Sequence, residues 1–533
     1  MILKGTLRSI ITVSVFTLLS RITGLARDIV IAKNIGANSL SDAFWIAFRI
    51  PNMLRKIFAE GSFAQAFIPT LSLARSESKS ENSLSENIHN LITRMALLLT
   101  TSLIVITILG LIFTPLIIKI FASGICKNTN DTNQFNATVL MTRIMFPYVI
   151  LISLTAFASC ILNTWKKFSV PAITPALLNI SMVLTCLIFA KETIQPIYAL
   201  SIGVIVGGIA QLSIQWIAIS KINLQPSVSF DFARAYNDKY VKNIIRKMMP
   251  ALIGVSISQI SLLINTNIAT WLAPGSLTWL TLADRIVDLP TALIGLALGT
   301  VMLPDLSRSY VSKNQDKYNL LINNSLKIIL LFGVPSMVCM VAIPNGLVTV
   351  LFHYGEFNQI DVCNTKSAVL AYSIGLLGMM TIKILSSAFY AMQDTLTPTK
   401  TALISLFLAQ TLNIFLVPLY SHIGIAISYS VGATLNSIFM LFLLKRNNVF
   451  KSYKNGWIII LLRLIPASIL MGVFLNFFDH KINWIELQSN VIQRFSILSS
   501  ILIVGFIIYV ALLFICGMRS KDFFNLFITK KEY

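Results

Sequence analysis

The sequence is poor in charge, and poorest in acid. Only 12% of its 533 residues are Asp, Glu, Lys or Arg, about half of what an average soluble domain carries. Histidine occurs four times and cysteine six times (Cys126, Cys160, Cys186, Cys339, Cys363, Cys516), with no Cys-x-x-Cys and no Cys/His pair at ligand spacing. Zinc sites, haem attachment and dithiol redox chemistry therefore lack their residues. Walker loops, His-Glu-x-x-His and Gly-x-Ser-x-Gly are missing as well, which leaves ATP hydrolysis, zinc proteolysis and nucleophile-elbow chemistry unsupported.

What the chain has in excess is apolar surface: 56% of residues are hydrophobic and the mean hydropathy is +0.78. Water cannot cover that much apolar surface, which excludes a soluble enzyme or a nucleic-acid binder. At about 20 residues per crossing the apolar content fills about 14 membrane spans. Apolar runs separated by polar or Gly/Pro breaks fall at 6–32, 40–72, 91–121, 137–164, 170–190, 195–220, 249–272, 276–304, 322–352, 366–392, 398–420, 423–444, 457–478 and 495–517. The fold class is an all-α polytopic membrane protein with 14 transmembrane helices. The first run is basic and then apolar, but Arg21, Arg27 and Asp28 follow with no small-residue cleavage site, so it reads as a retained helix. The second run is too long for one straight crossing; Pro51 and Gly61 predict a kink or break in it.

Basic residues orient the spans. One set of alternate ends holds 24 Lys and Arg, among them Lys221, Arg234, Lys239, Lys242, Arg246 and Lys247 between runs six and seven. The opposite ends hold 7, Lys33, Lys119, Lys127, Lys191, Lys366, Lys481 and Arg494. The positive-inside rule then puts both termini in the cytoplasm. Of the six cysteines, only Cys126 and Cys363 fall in external loops, and whether they pair stays open.

The chain also repeats. Ala47-Phe48-Arg49-Ile50 and Pro69-Thr70-Leu71-Ser72 in run two resemble Ala283-Asp284-Arg285-Ile286 and Pro304-Asp305-Leu306-Ser307 in run eight, at offsets of 236 and 235 residues. Leu178-Asn179 in run five and Leu412-Asn413 in run eleven are a second match. Six runs separate the partners, so they cross in the same direction. This predicts two parallel six-helix lobes around a central cavity, with two extra helices at the C-terminal end. The domains are an N-terminal lobe over 1–220, a basic cytoplasmic linker over 221–248, a C-terminal lobe over 249–446, and 447–533 holding spans 13 and 14 and a cytoplasmic tail.

Several charges lie too deep to reach water easily. A cation at mid-membrane costs about 2.5–3.5 kcal/mol, so it needs a partner, a wet cavity or a job. Run one carries Arg21, Arg27 and Asp28, run two carries Asp42, Arg55 and Glu60, and run eight carries Asp284 and Arg285. Facing each other across the cavity, the arginines can hold an anionic head group by charge-assisted hydrogen bonds. Internal pairing, Arg27 with Asp28 or Arg55 with Glu60, is the plainer alternative.

At these residues the sequence resembles the bacterial lipid II flippases (MurJ, formerly MviN) of the multidrug/oligosaccharidyl-lipid/polysaccharide exporter superfamily. The likeness lies in Ser20-Arg21-x-x-Gly24-x-x-Arg27-Asp28, in Asp42-Ala43-Phe44, and in Pro51-Asn52-x-Leu54-Arg55. It continues in Phe58-Ala59-Glu60-Gly61-x-Phe63-x-x-Ala66-Phe67-x-Pro69, Ala283-Asp284-Arg285, Tyr354-Gly355, Phe389-Tyr390, Gln393-Asp394-Thr395 and Thr397-Pro398. The resemblance implies export of lipid II across the inner membrane by alternating access, not catalysis. Substrate binding falls to Arg21, Arg27, Arg55 and Arg285, with Asp28, Asp42, Glu60 and Asp284 as gating partners. It implies no cofactor, no metal and no nucleic acid. Lipid II and membrane lipids are the expected partners, with room for other cell wall synthesis proteins. Spans 13 and 14 are expected to form a groove for the polyprenyl tail.

One departure concerns coupling. Some members resemble sodium-coupled transporters, with a carboxylate in span 7, an Asn-x-x-x-Asp pair in span 11 and a Thr in span 12. The corresponding positions here are Asn265 or Asn267, then Ala409 and Asn413, then Tyr429. Hard cations want charged oxygen ligands, so a sodium site is not expected. The rival readings are a flippase for another polyprenyl-diphosphate-linked saccharide, a cation-coupled multidrug exporter of the same fold, and a membrane transferase.

Overall fold

A computed structural model of the chain describes residues 2–57, 63–77, 81–126, 132–189, 196–227, 230–447, 449–450 and 454–519. All regular elements among them are helical. They fall into two compact units, Met1–Leu277 and Thr278–Tyr533.

The first unit is built from α1 (Ile2–Ile35), α2 (Ser39–Leu54), α3 (Ala64–Glu77), α4 (Glu81–Ile112), α5 (Thr114–Phe121), α6 (Thr132–Met145), α7 (Tyr148–Thr164), α8 (Ser169–Phe189), α9 (Pro196–Ser220), α10 (Phe232–Asn237) and α11 (Lys239–Ala269). Local signals start these helices. Asn38 and Ser41 form a reciprocal capping box at α2, and the Asp238 carboxylate caps α11. Pro115 stands in the first turn of α5, where no backbone N–H is needed. The expected break in run two is present: α2 ends at Leu54, residues 55–57 widen into a π turn, and α3 begins at Ala64. Gly61 lies outside the described residues.

With no hydrophobic drive between helices in lipid, close backbone approach holds them together. The seam of α8 and α9 shows it. A Cβ added to Gly203 falls 2.2 Å from the Thr185 hydroxyl, and one on Gly207 falls 3.0 Å from the Leu178 Cα. Phe63 and Phe67 stack at 4.9 Å with Phe157 tilted against them at 6.0 and 5.3 Å, in a core completed by Ile161, Val241 and Ile244.

The second unit comprises α12 (Ser276–Pro290), α13 (Ala297–Val311), α14 (Gln315–Ala342), α15 (Pro344–Phe352), α16 (Gln359–Ile374), α17 (Leu376–Ala391), α18 (Leu396–Tyr420), α19 (His422–Arg446), α20 (Lys454–Lys481) and α21 (Val491–Ile515). A π turn over Thr291–Leu296 joins α12 to α13. One core gathers α13, α14, α17 and α19 around Phe389 and Tyr318, whose hydroxyl donates to the Ala388 carbonyl at 2.7 Å. A second packs α20 and α21 on α14 and α15 around Trp484 and Tyr509. There Asp479 accepts the Gly346 N–H at 2.7 Å and the Trp484 indole N–H at 3.0 Å, tying α20 to the start of α15. Arg494, counted from the sequence as an external end, is fully buried, with its guanidinium 5.2 Å from the Tyr354 ring.

Among the described residues nine helices are long and apolar enough to cross a membrane. The pair α16–α17, bent by 45°, makes ten if counted as one span. The four other expected crossings fall on α1, α2–α3, α11 and α12–α13. Of these, α2, α3, α12 and α13 are pieces of 14 to 16 residues broken at the π turns.

Candidate functional site

In the first unit the candidate charges lie on α1, on α2 and in the turn that follows α2. Arg27 and Asp28 are the deepest, 4% and 0% exposed. Arg27 donates to Asp28 Oδ1 from Nε at 2.9 Å and from Nη2 at 2.7 Å. Its third arm, Nη1, reaches Asn179 Oδ1 on α8 at 3.1 Å. Asn179 is itself held, donating to the Ser20 carbonyl at 3.2 Å and to the Thr23 hydroxyl at 3.3 Å. The guanidinium also lies 5.8 Å from the Trp45 ring and 6.0 Å from the Phe48 ring of α2, a cation–π setting that favours a desolvated arginine. The internal pairing of Arg27 with Asp28 is thus present, and the sequence reading missed its third member. In the sequence Asn179 stands out only as half of a repeated Leu-Asn pair.

Arg55 and Arg27 both act electrostatically on the buried Tyr148 of α7. Arg21 is half-buried on α1, six residues before Arg27, which sets it about 9 Å away along the axis and on another face. Asp42 is buried in the first turn of α2, where its Oδ2 accepts the Gly275 N–H at 2.8 Å. Arg55 opens the π turn after α2, half-buried, with Nε and Nη2 both on Asn52 Oδ1 at 2.9 and 2.8 Å. Arg49, one of the repeated residues, hydrogen-bonds the Thr266 hydroxyl of α11. Glu60 lies outside the described residues.

In the second unit Asp284 and Arg285 occupy α12, the first exposed and the second half-buried. Asp284 and Asp288, one turn apart, both act electrostatically on Tyr429 of α19. Tyr429 meets the Tyr372 ring edge-on at 5.9 Å. Asp288 had not been singled out from the sequence, although its spacing from Asp284 puts both on one helix face.

The positions compared with a sodium site lie on α11, α18 and α19. Ala409 and Asn413 are buried on α18, and Asn413 donates to Gln410 at 2.9 Å. A Cβ on Gly432 falls 2.9 Å from the Ala409 Cβ, so α18 and α19 touch there. Asn267 donates to the Ile120 carbonyl at 2.9 Å and accepts from the Ser123 hydroxyl at 3.1 Å. Among the described residues no three His, Cys, Asp or Glu side chains are grouped to hold a metal ion.

This arrangement, charges buried on helices of an otherwise apolar bundle, defines a multi-pass membrane transporter. Its fold is shared with an inward-facing multidrug transporter of the MATE family within the MOP superfamily (TM-score 0.63, 15% identity, 83% of this chain and 98% of that chain). A lipid II flippase MurJ in an inward closed conformation superposes more fully, at TM-score 0.78 and 25% identity over 97% of this chain and 100% of that one. The family model for lipid II flippase MurJ matches residues 31–515. The lipid II flippase MurJ of Burkholderia cenocepacia is 37% identical over 97% of this chain and 98% of its own length. A probable lipid II flippase MurJ of Buchnera aphidicola is 36% identical over 97% and 99%. The chain belongs to the MurJ lipid II flippase family.

Proposed function

We propose that the chain exports lipid II from the inner to the outer leaflet of the bacterial cytoplasmic membrane by alternating access, supplying cell wall synthesis. Family membership over residues 31–515 carries this reading. Both termini are cytoplasmic, and fourteen crossings form two parallel lobes of six with two added helices. The π turns support the lobes: one begins at Arg55 and the other at Thr291, 236 residues apart, the offset of the sequence repeat. π turns are rare and gather at functional sites.

In this reading Arg21, Arg55 and Arg285 grip the diphosphate and neighbouring anionic groups, since a guanidinium fork matches phosphate oxygens in pairs. Arg27 joins them when its pairing with Asp28 and Asn179 is exchanged. Asp28, Asp42, Glu60 and Asp284 take over the arginines between states, so no cation is left desolvated alone. Transport, not catalysis, is the work of the site.

The test is replacement of Arg21, Arg55 and Arg285 by Ala, each in a strain depleted of the wild-type protein. Each variant reaches the membrane, lipid II accumulates in the inner leaflet, and growth stops. Lysine rescues poorly because it lacks the planar fork. Full growth of all three alanine strains overturns the assignment.

A further inference from the structure

The segment that links α9 to α11 is built differently from an ordinary loop. Residues 221–248 carry six Lys and Arg against two Asp, and both acids are engaged. Asp231 accepts the Arg234 N–H at 3.0 Å and pairs with its side chain at 3.1 Å. Asp238 accepts the N–H groups of Tyr240 and Val241 at 2.8 and 3.2 Å and pairs with Arg94 of α4. One face of the segment is anchored, with Ala235, Val241 and Ile244 wholly buried and the last two part of the core around Phe67.

The opposite face is apolar and basic at once. Phe230, Phe232 and Tyr236 are 79%, 45% and 63% exposed, and Arg234, Lys239, Lys242 and Arg246 stand exposed among them. Lys242 lies 5.7 Å over the Tyr236 ring and donates to Asn237 at 3.0 Å. Three large aromatics held out by a capped, anchored segment lose by facing water. The apolar phase nearest to them is the bilayer that α9 and the apolar part of α11 enter. Aromatic rings settle at the level of the head groups, and clustered Lys and Arg are drawn to anionic lipids.

We propose that residues 230–246 form a docking platform for the anionic phospholipid head groups of the inner leaflet. The aromatics insert beneath the phosphates and the basic side chains bind them. The inner-leaflet placement rests on the orientation adopted above. Because the segment connects the sixth crossing to the seventh, lipid charge would act at the joint between the two repeats.

The test uses the full chain with the exposed Cys126 and Cys363 replaced by Ser, spin-labelled at Phe232→Cys or Tyr236→Cys. It is placed in nanodiscs of phosphatidylcholine with or without phosphatidylglycerol. With the anionic lipid the labels sink into the bilayer, with oxygen collisions rising several-fold over those with a water-soluble nickel chelate. Raised salt or the triple change Lys239→Gln, Lys242→Gln and Arg246→Gln returns them to water. Labels that stay in water in both lipids overturn the platform, as does shielding that appears only when cytosolic protein is added. Labelling of Phe232→Cys from outside intact cells by an impermeant maleimide overturns the inner-leaflet placement. The readout needs neither substrate nor transport, so its failure is separate from failure of the export reading.

Discussion

Arg27 and Asn179, 152 residues apart in the sequence, meet through a 3.1 Å hydrogen bond that closes the third arm of a buried guanidinium. With Asp28 wholly buried on the other side, the guanidinium bonds both side chains. Removing the carboxylate takes away the anion paired with a buried cation, which costs about 3–5 kcal/mol. Removing the amide loses one hydrogen bond to a charged group, about 1.5–3 kcal/mol. We expect Asp28→Ala to lower the melting temperature of the purified protein more than Asn179→Ala does. The double variant should be milder than the sum, because the two act on one group. Thermal unfolding of all three in detergent checks the order, and additive losses contradict the coupling.

A second buried arginine produces a pH dependence. Arg494 donates to the His353 carbonyl at 3.2 Å and to its Nδ1 at 3.4 Å. Burial first, and the guanidinium second, push the imidazole below its ordinary value. The unfolded chain therefore takes up the proton before the folded one does. The clasp is fully present above the ordinary histidine range near pH 6.5, and its stability is lost as pH falls through and below that value. One proton limits the slope to about 1.4 kcal/mol per pH unit. Melting curves from about pH 8 to about pH 5 should fall less steeply for His353→Gln than for the wild type. Parallel curves contradict the expectation.

The two arginines also show what a sequence discloses and what it hides. The apolar runs were readable because hydropathy is a sum over neighbours, and the break after Leu54 was readable from Pro51 and Gly61. Breaks at Phe113, Ile343 and Gly375 were not, since a bend inside an apolar run leaves hydropathy unchanged. Pro115 and Pro344 were the signals available there. Arg27 with Asp28 was legible as neighbours, but Asn179 was not, because nothing local marks an amide as the partner of a charge on another helix. Arg494 misled for a related reason: near a span end a cation usually snorkels, and only tertiary packing against Tyr354 buries it.

Orientation is open to direct labelling. The 24 to 7 division of Lys and Arg predicts that residues 127–135 and 479–490 face outside and 231–247 and 519–533 inside. Cysteines introduced one at a time should react with an impermeant maleimide in intact cells at the first two stretches, and only after permeabilisation at the others. External reaction within 519–533 contradicts the even number of crossings.

The driving force follows from what stands on α18 and α19. Ala409 and Asn413 are buried there with Gly432 packed against Ala409, and an aromatic, Tyr429, holds the third position. None of the three offers the charged oxygen that a hard cation prefers. We therefore expect export to follow membrane potential rather than a sodium gradient. The substrate head group is anionic, and an inside-negative potential favours its outward movement. Each elementary charge gains about 2.3 kcal/mol per 100 mV, so two gain about 4–5 kcal/mol. If Arg21, Arg55 and Arg285 line one site as proposed, the same field draws that site, once emptied, back toward the inside. A proton carried by Asp28, Asp42 or Glu60 is the competing account, because a carboxylate in the membrane can titrate near neutrality. Valinomycin with high external potassium should stop export while removal of sodium leaves it running. A collapse of the pH gradient at constant potential should also leave it running; if it does not, the proton account prevails. Arrest on sodium removal at unchanged potential overturns both the mechanism and the correspondence drawn for Ala409 and Asn413.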